Sequence, residues 1–152
     1  MKTIKSIFIL ILFGLLVFGC LKVEKPECRI KKIDGNPESV IGTWQLVSKE
    51  YINQELGVTE LTDYSCYGIN YTFFANGEFQ VSGSHPEMPN YASYTYDFKY
   101  GEVKDNQPGN STLTLSNPSY PCILKSNQMT IDRMYLDGSK FIFYRVKDLV
   151  NK

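Results

Sequence analysis

The chain holds a single histidine, His85, in a proline-containing stretch, and that scarcity removes most hydrolytic chemistry at once. A Ser-His or Cys-His mechanism needs a nucleophile, a base and a group that orients the base. Ser84 cannot supply this by standing next to His85, and no Gly-x-Ser-x-Gly elbow occurs. No Cys or His cluster has the spacing of a zinc site, and no glycine-rich phosphate cradle is present. The acids Glu50, Glu55, Glu60 and Asp63 are scattered over one strand and one loop and read as solvated charge. The chain is therefore read as non-enzymatic, with no metal and no cofactor. An excess of one charge is also missing: 16 Lys and Arg balance 16 Asp and Glu. Nucleic-acid binding, which needs a concentrated basic patch, is not expected.

Long apolar runs are absent except at the start. Lys2 and Lys5 precede an apolar stretch from Ile7 to Val17, and Gly19 is followed by Cys20. A run of this length falls short of the ~20 residues that span a bilayer, and charged chain follows directly (Lys22, Glu24, Lys25). The segment Val17-Phe18-Gly19-Cys20 resembles the lipobox of bacterial lipoproteins, with an aliphatic residue at −3, a small one at −1 and Cys at +1. That resemblance implies cleavage after residue 19 and a diacylglycerol thioether on Cys20. Leu21 is not the Asp associated with inner-membrane retention, so an outer-membrane lipoprotein is expected, on the periplasmic or the surface face. The alternatives are an ordinary secretory signal or an uncleaved anchor.

With 1–19 removed, one domain remains; the full chain carries 11 tyrosines and 11 glycines. This suits an aromatic all-β chain. Residues 20–39 read as the lipidated Cys and a tether, 40–147 as the domain, and 148–152 as a tail. Apart from Cys20 there are Cys28, Cys66 and Cys122. In an oxidising envelope one pair is expected. Cys66–Cys122 is favoured because both lie at strand edges, leaving Cys28 as a free thiol or for an intermolecular bridge. The alternative is three reduced, buried thiols.

Period-two alternation marks strands at 41–52, 69–75, 78–82, 93–103, 112–116, 120–125, 128–135 and 140–146. Asn76-Gly77 and Asp137-Gly138 read as hairpin turns. Two stretches read as loops, 54–66 and the proline-containing 83–90. About eight short strands joined by hairpins predict a small antiparallel up-and-down barrel, since closure removes exposed sheet edges.

Gly42-Thr43-Trp44 opens the first strand and Arg145 lies late in the last. Together with Ala75-Asn76-Gly77-x-Phe79, this order resembles the small lipocalin-like (calycin-type) lipoproteins of Gram-negative bacteria. The resemblance implies that Arg145 packs on Trp44 and closes the barrel's base, with loop 54–66 over the open end. Tyr94, Tyr96, Phe98 and Tyr100 then face inward. They either line a pocket for a small, largely apolar ligand or fill the barrel solid. In the second case the protein is an accessory module that contacts another envelope protein through loop aromatics such as Tyr64, Tyr67 and Tyr91.

Overall fold

Alternating burial along the first strand decides how the sheet closes. In β1 (Gly42–Asn53), Trp44 and Leu46 are fully buried while their neighbours are half-exposed, the mark of a strand with one face on a core. The computed structural model describes residues 28–53, 55–83, 93–102, 109–133 and 138–149. The remaining strands are β2 (Val58–Asp63), β3 (Asn70–Phe73), β4 (Glu78–Ser82), β5 (Ser93–Tyr100), β6 (Ser111–Leu115), β7 (Ser119–Leu124), β8 (Gln128–Arg133) and β9 (Ser139–Lys147). Among the described residues there is no helix. Each of β3 to β8 pairs antiparallel with its successor, β9 returns to β1, and β1 pairs with β3. The result is a closed antiparallel barrel of eight strands with β2 as one extra strand.

The extra strand was not expected, because 54–66 reads as loop: β2 is exposed at every position and carries no alternation. It exists because β1 outruns the barrel. One edge of β1 pairs with β3 over Gly42 to Gln45, then with β2 over Ser48 to Asn53. Between the two, Leu46 N donates to Ile69 O at 2.8 Å and Tyr64 N to Val47 O at 2.7 Å. On the other edge, the register with β9 slips between Leu46 and Ser48. Such a bulge bends a strand and re-aims its side chains. Below it Trp44 and Leu46 face the core. Above it Lys49 and Tyr51 lie opposite Phe141 and Ser139.

The base is sealed by the segment before β1. Arg145, with no exposed surface, lies with its guanidinium 4.3 Å from the Trp44 ring. It donates to the carbonyls of Asn36 (3.0 Å), Ser39 (2.7 Å) and Ile41 (3.2 Å). Burial draws Arg145 below its ordinary range, and the Asp148 carboxylate at 4.0 Å opposes this. Trp44 Nε1 donates to Val40 O at 2.7 Å. Two glycines permit this packing. A Cβ on Gly35 would stand 2.5 Å from Arg145 Nη1, and one on Gly42, whose φ is +135°, would meet Lys147 O at 2.7 Å. The tether expected over 20–39 is therefore shorter than its composition suggests. Residues 33–39 cap the barrel, with Ile33 N donating to Arg145 O, Gly35 N to Ser126 O, and Asp34 accepting from Ser126 and Asn127. Cys20 lies outside the described residues.

The expected Cys66–Cys122 pair is corrected. Cys66 bonds Cys28, with Cα atoms 5.1 Å apart, and Cys122 is a free, buried thiol. Cys122 sits in β7, opposite Ser111 and Ile131. From the β1–β3 region, β7 is three strands away the shorter way round. At ~4.8 Å per strand this is about 14 Å, beyond the ~7 Å that a disulfide bridges. Burial pushes the Cys122 thiol from 9.0 up to about 12. Barrel, cap and disulfide all lie within 28–149, so a fragment beginning at residue 21 keeps every contact of the closed barrel.

Two outcomes follow for denaturation at equilibrium. Arg145→Leu removes three hydrogen bonds to part-buried carbonyls and costs about 3 kcal/mol. Arg145→Lys recovers only part, because a point charge cannot serve three acceptors while lying flat on an indole. Cys28→Ser opens a loop with a sequence separation of 38 and costs about 4 kcal/mol by the chain-entropy relation. An unchanged urea midpoint in either variant would remove the cap or the bridge as a stabilising device.

Candidate cavity at the open end of the barrel

Aromatic rings stack upward from the base. Phe73 packs on Phe79 (5.4 Å between centroids) and edge-on to Tyr96 (5.0 Å). Above them Phe79 meets Tyr94 (5.1 Å), and Tyr71 meets Phe143 (4.9 Å). The rings fill the lower barrel but not the upper. Between Tyr71, Phe79, Val81, Tyr94, Leu115 and Tyr120 lies a cavity of about 360 Å3, with Ser116 and Arg133 also on its wall. A deeper recess of about 110 Å3 shares Tyr71, Leu115, Tyr120 and Arg133 and adds Ile131, Phe141 and Phe143.

Each polar group arrives by strand alternation. Met129 and Ile131 of β8 are buried, and Arg133, two positions on, ends the same face. At a strand's end an Arg can lay its stem on apolar neighbours while its head reaches open space. Its guanidinium lies 5.4 Å from the Tyr120 ring and 5.6 Å from the Phe141 ring. Lys49, brought to this side by the bulge, stands 5.7 Å from the other partner of the same arrangement, the Phe141 ring, and 5.9 Å from Tyr51. Burial raises Tyr71 from 10.0 to about 12; the Arg133 cation opposes this, and Tyr94 and Tyr120 add to it. The phenol is therefore a protonated donor throughout the physiological range. Among the described residues no group of His, Cys, Asp or Glu is placed to hold a metal ion.

Of the four aromatics expected to line a pocket, only Tyr94 does so. Tyr96 sits lower, donating its hydroxyl to Phe74 O at 2.6 Å, and burial raises its pKa. Phe98 packs partly buried against the core. Tyr100, at the far end of β5, is 46% exposed. The strand runs down from the open end, so only its first inward residue reaches the cavity. The other lining residues come from strands read correctly but not singled out; Tyr71 follows Ile69, and Phe79 precedes Val81, at the two-residue spacing of an inward face. Arg133 carried no sequence signal beyond its place in that same alternation. Among the loop aromatics, Tyr64 is buried core at 4% exposure, Tyr67 is exposed, and Tyr91 lies outside the described residues. His85 lies outside them too.

Fold and cavity together define a closed eight-stranded antiparallel β-barrel, compatible with a lipocalin-like fold. No family model, no curated protein and no solved structure matches the chain.

The raised Tyr71 value sets a pH dependence. The folded state keeps a proton that the unfolded chain releases near pH 10, so the contribution is complete below about pH 10 and is lost as pH rises towards about 12. The slope is at most about 1.4 kcal/mol per pH unit. Cys122 adds loss in an overlapping window, from 9.0 to about 12. The test is therefore a difference: Tyr71→Phe should lose less stability than the parent between about pH 10 and about pH 12. Parallel losses would show that Tyr71 titrates normally.

Proposed function

We propose that the protein is a non-enzymatic envelope lipoprotein, held to the outer membrane by a lipid on Cys20, whose lipocalin-like barrel binds a small, largely apolar ligand. The observation that carries this reading is the cavity of about 360 Å3. Its volume lies within the range of small-molecule sites, ~300–1,000 Å3, and its mostly apolar wall with a few convergent polar groups is their usual composition. The Cys28–Cys66 bond supports an oxidising compartment. It also ties the chain to the barrel eight positions after Cys20.

One observation favours a second reading, an interaction module for another envelope protein. The β1–β2 hairpin leaves Tyr51, Ile52, Leu56, Val58 and Leu61 exposed, and β2 has a neighbour on one edge only. An exposed strand edge of this kind accepts an added strand.

Native mass spectrometry of the 21–152 fragment, purified from a bacterial periplasm, separates the two. Under the carrier reading the fragment holds a reproducible extra mass that is lost on denaturation, and Leu115→Trp, which fills the cavity, gives bare protein with the fold intact. Bare parent protein that stays bare after incubation with lipid extract would favour the hairpin as the working surface.

A further inference from the structure

Seven large apolar side chains are exposed among the described residues, and five of them, Tyr51, Ile52, Leu56, Val58 and Leu61, belong to the β1–β2 hairpin. The register divides these five. Tyr51 lies opposite Glu60 and Val58 opposite Asn53, so the two share one face. Ile52, opposite Thr59, shares the other face with Leu61, opposite Glu50. Leu56 stands at the turn, 69% exposed. A strand added to the edge of β2 would leave both of these faces and the turn in water. A surface that surrounds the hairpin would cover all three. The hairpin also stands beside the point where the preceding chain is tied to the barrel. Cys66, three residues past the end of β2, bonds Cys28, and Cys20 lies eight residues before Cys28. Eight residues reach at most about 29 Å, whereas β2 is about 17 Å long at the rise of a strand.

We infer that the β1–β2 hairpin is a second, shallow membrane contact, resting in the headgroup region of the bilayer that holds the lipid on Cys20. This rests on the lipid-anchor part of the proposed function and goes beyond it. The tether is longer than β2, so the whole hairpin can reach the surface. Because its root is tied to the anchored segment, the contact is intramolecular in effect, and a weak one suffices. The free edge sets the depth. Among the described residues β2 has a strand on one edge only, and hydrocarbon cannot satisfy the backbone groups of the other. The backbone therefore stays among headgroups and water, and only the Leu, Ile, Val and Tyr side chains dip below, as at other interfacial contacts. Charge selects the surface. Segment 49–63 carries Lys49 against Glu50, Glu55, Glu60 and Asp63. Lys140 pairs with Glu50 at 3.2 Å and Asn53 donates to Glu60 at 2.9 Å, but the surplus is acidic. A zwitterionic phospholipid surface suits it, and an anionic one repels it.

Fluorescence quenching in the full chain tests this. The protein is made in a bacterial host and reconstituted into phosphatidylcholine vesicles, with and without bromine on the acyl chains. Its single tryptophan, Trp44, has no exposed surface, so an introduced indole reports its own surroundings. Leu56→Trp should shift to the blue on reconstitution and lose emission to the brominated lipid. Tyr100→Trp, exposed at the end of β5 away from the cavity, should do neither. Adding Leu61→Asp to Leu56→Trp, at a position 68% exposed and so outside the core, should restore the emission. No quenching at position 56, equal quenching at 56 and 100, or quenching untouched by Leu61→Asp would overturn the inference. If the chain still floats with the vesicles in those cases, the lipid anchor stands and the hairpin is left as a surface for another protein. A chain that does not float with the vesicles would overturn the anchor and the inference with it.

Discussion

A cation buried in an apolar base is the constraint on which the rest of the barrel depends. Desolvating a guanidinium costs several kcal/mol, and Arg145 has no exposed surface to relieve it. The cost is met by an indole face and three carbonyls, and those carbonyls belong to residues 36, 39 and 41. The segment before β1 is therefore part of the fold. It must cross the base at the distance that Arg145 sets, which is why Gly35 has room for no side chain. One side chain thus joins the last strand, the first strand and the cap.

With the base sealed, asymmetry between the two ends follows. Near the base, Phe73, Phe79 and Tyr96 interlock. At the other end, the bulge in β1 turns the strand away from its course and towards β2. Beyond it Lys49 lies opposite Phe141 and stands 5.7 Å from its ring. Arg133, ending β8 on the same face as Met129 and Ile131, places a cation on the cavity wall. The Cys28–Cys66 bond sits at the same branch and ties the start of the described chain to the connection between β2 and β3.

A binding role places the chemistry in the wall of the barrel, not in its loops. The wall carries a guanidinium and three phenols, each delivered by a different strand: β8, β3, β5 and β7. Strands hold such groups more firmly than loops do. The exposed β1–β2 hairpin is a separate surface, built from residues that the barrel does not need.

Much of this architecture was legible in the sequence. Alternation and the Asn76-Gly77 and Asp137-Gly138 turns mark eight strands, because a half-buried strand imposes a period of two on its residues. Gly42, Trp44 and Arg145 mark the base. What the sequence could not show depends on groups far apart in the chain. β2 has no period because neither of its faces is buried. The cap reads as tether because its carbonyls, which carry no sequence information, do the binding. The cysteine pairing depends on which strands become neighbours after closure. Of the aromatics at 94–100, the height of each within the barrel decides whether it lines, packs or protrudes, and height is set by strand register. The sequence by itself determined the strands and the inward faces, since both are local consequences of burial. Only the tertiary structure decided which inward residues surround empty space and that Arg133 is the charge among them, since a cavity exists only between strands brought together by closure.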